Sequence, residues 1–465
     1  MKPKVWQERL SGELDPYIEA LNRSITFDHR LGPYDVRASM VWAGALHRCG
    51  TLTEDDLAAI TKGLQMIGQE LGAATFEFRA QDEDIHMAIE RRLGELIGAA
   101  AGRLHTGRSR NDLVATDLRL YSRDQMDQLV SILIPVLEQL VAMAEEQVET
   151  AFPGHTHLQQ AEVISLGQIL LAHAWRVKGD VDLLTYVKST TSICPLGAGA
   201  LGGSPIPVDR EWISQELGFD RPTDNSVEAV ESRDFVLDLL YAVARLGLHL
   251  SSLAEDFIIW NSQEFGFLTL EDSVATGSSL LAHKKNPDVF ELIRGKCGRL
   301  VGHLTGFMTT MKGLPSGYNK DLQEDKEPLF DAVDTLQLIL PALAAALKGV
   351  IFTPERIAEK LSPTLKTERI VRYLIAKEMP FREAYTLAGS LVRESDSMGM
   401  ELHELPLEVM QSVSEAIGPD LEEELSAGWK IPEEGVMGGS NNKSLYQQVG
   451  KLQGWLRNKP EKDLQ

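Results

Sequence analysis

The chain has 465 residues, 43% hydrophobic and 25% charged, the make-up of a folded globular protein of two to four structural units. Its 68 Asp and Glu against 46 Lys and Arg leave a formal charge of -22, which repels phosphate backbones and argues against nucleic acid as a partner. Cys49, Cys194 and Cys297 are dispersed, with no CxxC pair, and their odd count argues against a disulfide framework.

The opening MKPKVWQERLSGELDP lacks the apolar stretch of a signal peptide, and a cytoplasmic protein is expected. The longest apolar run, Leu338–Leu347, has 10 residues and contains Pro341, whereas a membrane span needs about 20; no membrane partner is expected. Helical periodicity dominates from the first motif onward. In DEDIHMAIERRL, Ile85, Ala88, Ile89 and Leu93 mark a buried helix face that carries His86. HTGRSRND (His105–Asp112) then opens a long helix with apolar residues at Met126, Leu129, Val130, Leu133, Leu137, Leu140, Val141 and Ala144. Pro135 should kink this helix without ending it, because the pattern continues on both sides.

GHTHLQQ (Gly154–Gln160) follows as a polar cluster, and PLGAGALGGSPIP (Pro195–Pro207) reads as a loop. A second long helix is predicted through Val236, Leu239, Leu240, Val243, Leu246, Leu250, Leu253 and Phe257, and a third across Leu329–Leu347. Between them, Thr276–Ser279 and Gly313–Asp321 read as loops. Thr353–Pro363 reads as a loop and as a boundary before a C-terminal unit; the charged tail LRNKPEKDLQ is expected to fray. Alternation of period two is scarce, and no P-loop occurs. The fold class read from this pattern is all-α, built on long bundle helices.

Four stretches combine glycine, hydroxyl, amide and basic groups: HTGRSRND, GHTHLQQ, TGSSLLAHKKNPD (Thr276–Asp288) and YNKDLQEDK (Tyr318–Lys326). From Ser278 to Arg299 five cations (Lys284, Lys285, Arg294, Lys296, Arg299) face two acids (Asp288, Glu291), a local excess that suits a small anion in a negative protein. Arg108 and Arg110 flank Ser109 at a helix start, where free N–H groups and guanidinium groups suit carboxylates. His155 and His157 are two apart, so a zinc pair on one helix face is not indicated and no metal is expected. Each stretch taken alone also reads as an ordinary capped helix end, a structural histidine or a solvated polar turn.

Together these motifs resemble the argininosuccinate lyases of the fumarase/aspartase superfamily over nearly the whole chain. The resemblance is carried by LHTGRSRNDLVATDLRL, DEDIHMAIERRL, PGHTHLQ, SRDFV, GLPSGYNKDLQEDKE and MPFREA, in family order. GSSLLAHKKNPD keeps the serines, lysines, asparagine and proline of the superfamily loop, but Leu281-Ala282-His283 replace its usual Met-Pro-Gln. His155 stands where tyrosine is usual, ESRD replaces SERD, and KVWQERL replaces a WGGRF-like run.

The resemblance implies an all-α fold in which a central bundle of long helices (108–357) is flanked by smaller helical domains (1–107 and 358–465). It implies a homotetramer with active sites shared between subunits. The implied reaction is reversible β-elimination of argininosuccinate to L-arginine and fumarate, without a cofactor. The implied catalytic residues are His157 as the acid, Ser278 as the base with Ser279 as the alternative, Lys284 and Asn286 as stabilisers of the developing carboxylate charge, and Glu291 as the partner of His157. Ser24, Asn111, Thr156, Tyr318, Gln323 and Lys326 are implied to hold the substrate, with Arg110 and His86 as further candidates.

Overall fold

A computed structural model describes residues 14–458. The KVWQERL run lies outside the described residues. The tail expected to fray begins inside the Asn442–Asn458 helix, and its remainder is also outside. Helices dominate the described residues, and the eight short strands pair two by two, so the fold is all-α.

The three long helices read from periodicity are Arg110–Glu146, Asp234–Asn261 and Lys326–Lys348. The first runs for 37 residues straight through Pro135, and the third continues through Pro341. Flanking apolar positions explain this continuity: Leu133, Val136, Leu137 and Leu140 are all fully buried, so packing outweighs the one hydrogen bond a proline removes. Leu166–Thr191 and Asp288–Met311 are two further long helices.

Two compact units divide the chain. The first comprises the described residues up to Ser131, with Asp180–Gly247 and Cys297–Gln337. Within it, helices Gly32–Arg48, Glu54–Gly72 and Ile85–Ile97 pack on a core that includes Trp42, Leu46, Ile60, Leu64, Ile67, Ile89 and Leu93. Each such aliphatic side chain contributes about 1.5–3 kcal/mol through burial. Thr53 starts the second of these helices with a reciprocal cap on Asp56, which satisfies two otherwise orphaned N–H groups.

The second unit comprises Ile132–Gly179, Leu248–Lys296 and the described residues from Leu338 on. Its C-terminal part has its own core of short helices around Leu374, Leu391, Met410, Leu421 and Leu425. Two predicted loops contain regular structure. Pro354–Glu359 is a helical turn and a half, started by proline at its first position, where the missing N–H costs nothing. Thr276–Gly277 is a short strand antiparallel to Lys285–Asn286, so the segment between them is a closed loop.

Apolar run length understates the long helices. By length and composition Arg110–Glu146, Asp234–Asn261 and Lys320–Lys348 are apolar enough to cross a membrane. Only 50%, 56% and 61% of their most apolar windows are buried within the chain. Tyr241, Leu248 and Leu338 are among the large apolar side chains left more than half exposed on them.

Candidate active site

The second unit holds the histidine and serine motifs. GHTHLQQ forms the tip of a hairpin between strands Ala151–Thr156 and Gln159–Ser165, an element the sequence reading did not anticipate. Thr156 pairs with Gln159, leaving His157 and Leu158 as a two-residue turn with φ of 56° and 58°. Such turns favour Asn-Gly, because a left-handed conformation costs other residues about 1–2 kcal/mol each. His157 and Leu158 accept that strain at an exposed tip, a feature typical of residues kept for function. The hairpin is anchored through Gln160, which donates from Nε2 to the Lys360 carbonyl at 2.7 Å and accepts the Ser362 N–H at 2.9 Å. His155 is less exposed, its ring tilted against Phe265, and burial pushes its pKa down.

In the 276–286 loop the Ser278 hydroxyl oxygen accepts N–H groups from Leu280 at 3.2 Å and Leu281 at 3.0 Å. Two donors aimed at one oxygen favour its anionic form. Ser279, one position on, is exposed and makes no side-chain hydrogen bond among the described residues. The two lysines also differ. Lys285 donates to the Leu270 carbonyl and to Asp272 at 2.7 Å, whereas Lys284 makes no ion pair among the described residues. The sequence surplus of cations is therefore smaller than counted, since Arg294 pairs with Glu255 and Arg299 with Asp331. Asn286 sits on the closing strand, and Glu291 is exposed in the first turn of the Asp288–Met311 helix.

Except for Thr156 and Ser279, the predicted substrate-binding residues lie in the first unit, where the Ser24 N–H bonds the Glu83 carbonyl at 2.9 Å. Buried Ser24 donates from Oγ to Asp28 Oδ2 at 2.6 Å, and Asp28 Oδ1 accepts the Ile85 N–H at 3.1 Å. Burial raises the Asp28 pKa to about 7, against the opposing bond from Ser24. Arg110 pairs with Asp84 at 3.2 Å, and Gln323 donates to the Asn22 carbonyl at 3.3 Å. Burial, reinforced by Asp325, pushes the Tyr318 phenol up. Lys326 is buried and donates to Asp325 Oδ1 at 2.7 Å. Asp28, Asp84 and Asp325 were missed by sequence reasoning; Asp84 has the signature of a plain N-cap, which it also is.

His86 is buried, with Nδ1 3.0 Å from Asp35 Oδ2 and Nε2 3.2 Å from Glu90 Oε1. Burial disfavours the charged ring, but Asp35 and Glu90 outweigh it and raise its pKa to about 9. Asn111 donates from Nδ2 to the Ala200 carbonyl at 3.2 Å, tying the start of the long helix to the Pro195–Pro207 loop. Asp112 strengthens that tie, accepting N–H groups from Gly197 at 3.0 Å and Gly199 at 2.8 Å. Gly199 has φ of 64°, and a Cβ there would lie 2.7 Å from the Gly203 carbonyl oxygen, so only glycine fits. A cleft of about 1220 Å³ opens beside this junction, lined by His105, Ser109, Arg110 and Leu201 among others. Guanidinium and backbone donors on its wall suit a small carboxylate.

The helical fold thus presents a hydroxyl-bearing closed loop, a lysine with no ion pair among the described residues and a histidine turn in the left-handed region. Residues 8–302 match the family described as Lyase, and residues 367–429 match the argininosuccinate lyase C-terminal family. The chain belongs to the argininosuccinate lyase family. It is 46% identical to the argininosuccinate lyase of Roseiflexus sp. (strain RS-1), over 90% of this chain and 92% of the relative. It is 43% identical to that of Crocosphaera subtropica, over 96% and 97%. The probable argininosuccinate lyase of Schizosaccharomyces pombe is 40% identical, over 96% and 97%. In fold, the chain is similar to an EDDS lyase crystallised with formate, with TM-score 0.83 and 24% identity over 98% of this chain and 93% of that one. A class II fumarase from Schistosoma mansoni has TM-score 0.73 and 16% identity, over 88% and 93%.

Proposed function

We infer that the chain is a carbon–nitrogen lyase that cleaves argininosuccinate reversibly to L-arginine and fumarate. The observation that carries this reading is Ser278, whose oxygen takes two backbone N–H groups in a loop that also presents Lys284, which makes no ion pair among the described residues. A serine is a poor base in water. With its oxyanion stabilised by fixed donors and a nearby ammonium it can take a proton from the carbon next to a substrate carboxylate.

The electrons of that C–H bond pass into the carboxylate, forming a dianionic intermediate. Lys284 and Asn286 stabilise the added charge. The intermediate then collapses to fumarate as the C–N bond breaks, and His157, polarised by Glu291, delivers a proton to the departing guanidino nitrogen. Positioned acid–base groups of this kind are worth about 10²–10⁴-fold each. Ser24, Asn111, Thr156, Tyr318, Gln323 and Lys326 hold the substrate carboxylates and ammonium, with Arg110 and His86 beside them.

The enzyme is proposed to be a cytoplasmic homotetramer with active sites shared between subunits. Support comes from the half-covered apolar helices, whose exposed Tyr241, Leu248 and Leu338 need partners in water. The test is to mix purified protein with argininosuccinate and follow arginine and the absorbance of fumarate, with adenylosuccinate and aspartate in parallel. Turnover of argininosuccinate is expected. Release of fumarate from one of the other two alone would overturn the substrate assignment, and no turnover of any would overturn the enzyme.

A further inference from the structure

One cluster of the first unit, which includes the further substrate-binding candidate His86, groups three ligand atoms that the proposed elimination does not use as a set. Glu90 Oε1 lies 3.2 Å from His86 Nε2 and 3.0 Å from His105 Nδ1. All three atoms fall within 4.8 Å of one another. Among the described residues, neither ring nitrogen has a hydrogen-bond partner in good geometry, although both are buried at the atom level. Both nitrogens face the carboxylate at ion-pair distance, and a metal entering the cluster displaces the proton of the His86 ring. In a four-coordinate zinc site, with bonds of about 2.0–2.1 Å, neighbouring ligand atoms stand about 3.3 Å apart. The two separations to Glu90 are within 0.3 Å of that spacing.

The surroundings also fit a metal. His86 Nδ1 is held by Asp35 at 3.0 Å, and Asp35 is itself fixed by the Ser39 hydroxyl at 3.0 Å. Ser39 Oγ in turn accepts Arg108 Nη1 at 2.9 Å. A buried carboxylate on the far nitrogen sets the ring orientation and raises the basicity of the ligating one, the usual arrangement behind a metal-bound histidine. Asp35 and Glu90 supply the two negative charges that neutralise a divalent ion. Imidazole and carboxylate ligands suit zinc and its late first-row neighbours better than calcium or magnesium.

We propose that His86 Nε2, Glu90 Oε1 and His105 Nδ1 form a binding site for a zinc-class divalent cation, with the fourth position facing the cleft lined by Glu90 and His105. Bound there, the ion ties the Ile85–Ile97 helix to the His105–Asp112 segment and so braces Arg110 and Asn111. His105 is the adjustable ligand: its side chain is 43% exposed, so it can close the small remaining distance to the ion.

The test is calorimetric titration of metal-stripped full-length protein with zinc sulfate, with zinc X-ray absorption of the loaded protein. One zinc per chain, with two imidazole nitrogens in its coordination shell, is expected. His105→Ala, at a partly exposed position, and Glu90→Gln should each weaken binding by at least about tenfold. Zinc should raise the melting temperature of the parent protein but not of His105→Ala. No zinc binding by the parent protein, or unchanged affinity and melting shift in His105→Ala, overturns the site and leaves the cluster an ion-pair network.

Discussion

Arg233 and Asp325, 92 residues apart in sequence, meet through Nε and Oδ2 at 2.5 Å with neither side chain exposed. Asp325 also takes Lys326 Nζ at 2.7 Å, so one buried carboxylate serves two cations, one of them a proposed substrate ligand. The remaining guanidinium bonds go to the Ser232 and Val230 carbonyls. Breaking such a pair leaves an uncompensated charge in the interior. Asp325→Leu is therefore expected to cost about 3–5 kcal/mol in urea unfolding. A loss below about 1 kcal/mol, the scale of exposed pairs, would mean that water reaches the pair.

Asp28 makes stability depend on pH. Burial raises its folded pKa to about 7 from the ordinary carboxylate value of 3.8. Between those values the folded state binds more protons than the unfolded one, so this group's contribution is complete below 3.8 and is lost as pH rises through about 7. Its limiting slope is about 1.4 kcal/mol per pH unit. Unfolding free energies measured from pH 4 to 8 should fall more steeply with pH in the parent protein than in Asp28→Asn. Parallel profiles would show that Asp28 titrates normally.

The sequence reveals three of the long helices, Arg110–Glu146, Asp234–Asn261 and Lys326–Lys348, because each carries a continuous apolar stripe, and burial at Leu133, Leu137 and Leu140 matches it. It does not reveal the hairpin at 151–165, whose tip lacks the Asn-Gly signal of such turns and carries His157-Leu158 instead. The chemical motifs are legible as polar clusters. Their acidic partners are not, because Asp28, Asp35 and Asp325 sit in apparently ordinary helical segments and gain meaning only from contacts across 51 to 92 residues. Likewise no sequence feature separates Lys284 from Lys285; the difference comes from where Leu270 and Asp272 lie.

The two serines should behave differently. Ser278→Ala is expected to lower turnover of argininosuccinate by at least about a hundredfold with KM largely kept, because it removes the proposed base. Ser279→Ala, which removes a hydroxyl with no partner among the described residues, should stay within a few-fold. The reverse ranking would transfer the role of base to Ser279. His157→Asn should also lose at least about a hundredfold. Asparagine tolerates the left-handed φ of 56°, so the turn is retained and the loss reports chemistry. Near-normal turnover in this variant would remove His157 as the acid.

Lys284 and Lys285 give the sharpest contrast between chemistry and structure. Lys285 anchors the base of its loop through the Leu270 carbonyl and Asp272, so Lys285→Met should shift unfolding by up to about 1 kcal/mol, as an exposed pair does. Lys284 makes no ion pair among the described residues, so Lys284→Met should leave the unfolding midpoint where it was. Its ammonium is proposed to meet charge that exists only as the proton leaves. Losing such a donor costs about 2.7–4 kcal/mol of transition-state stabilisation, so kcat should fall by about 10²–10³ with little change in KM. Unfolding midpoint and kcat, measured on both variants, separate the roles. If Lys285→Met lost the turnover and Lys284→Met did not, the cation facing the reacting carboxylate would have to be Lys285, and its bonds to Leu270 and Asp272 would have to break during the reaction.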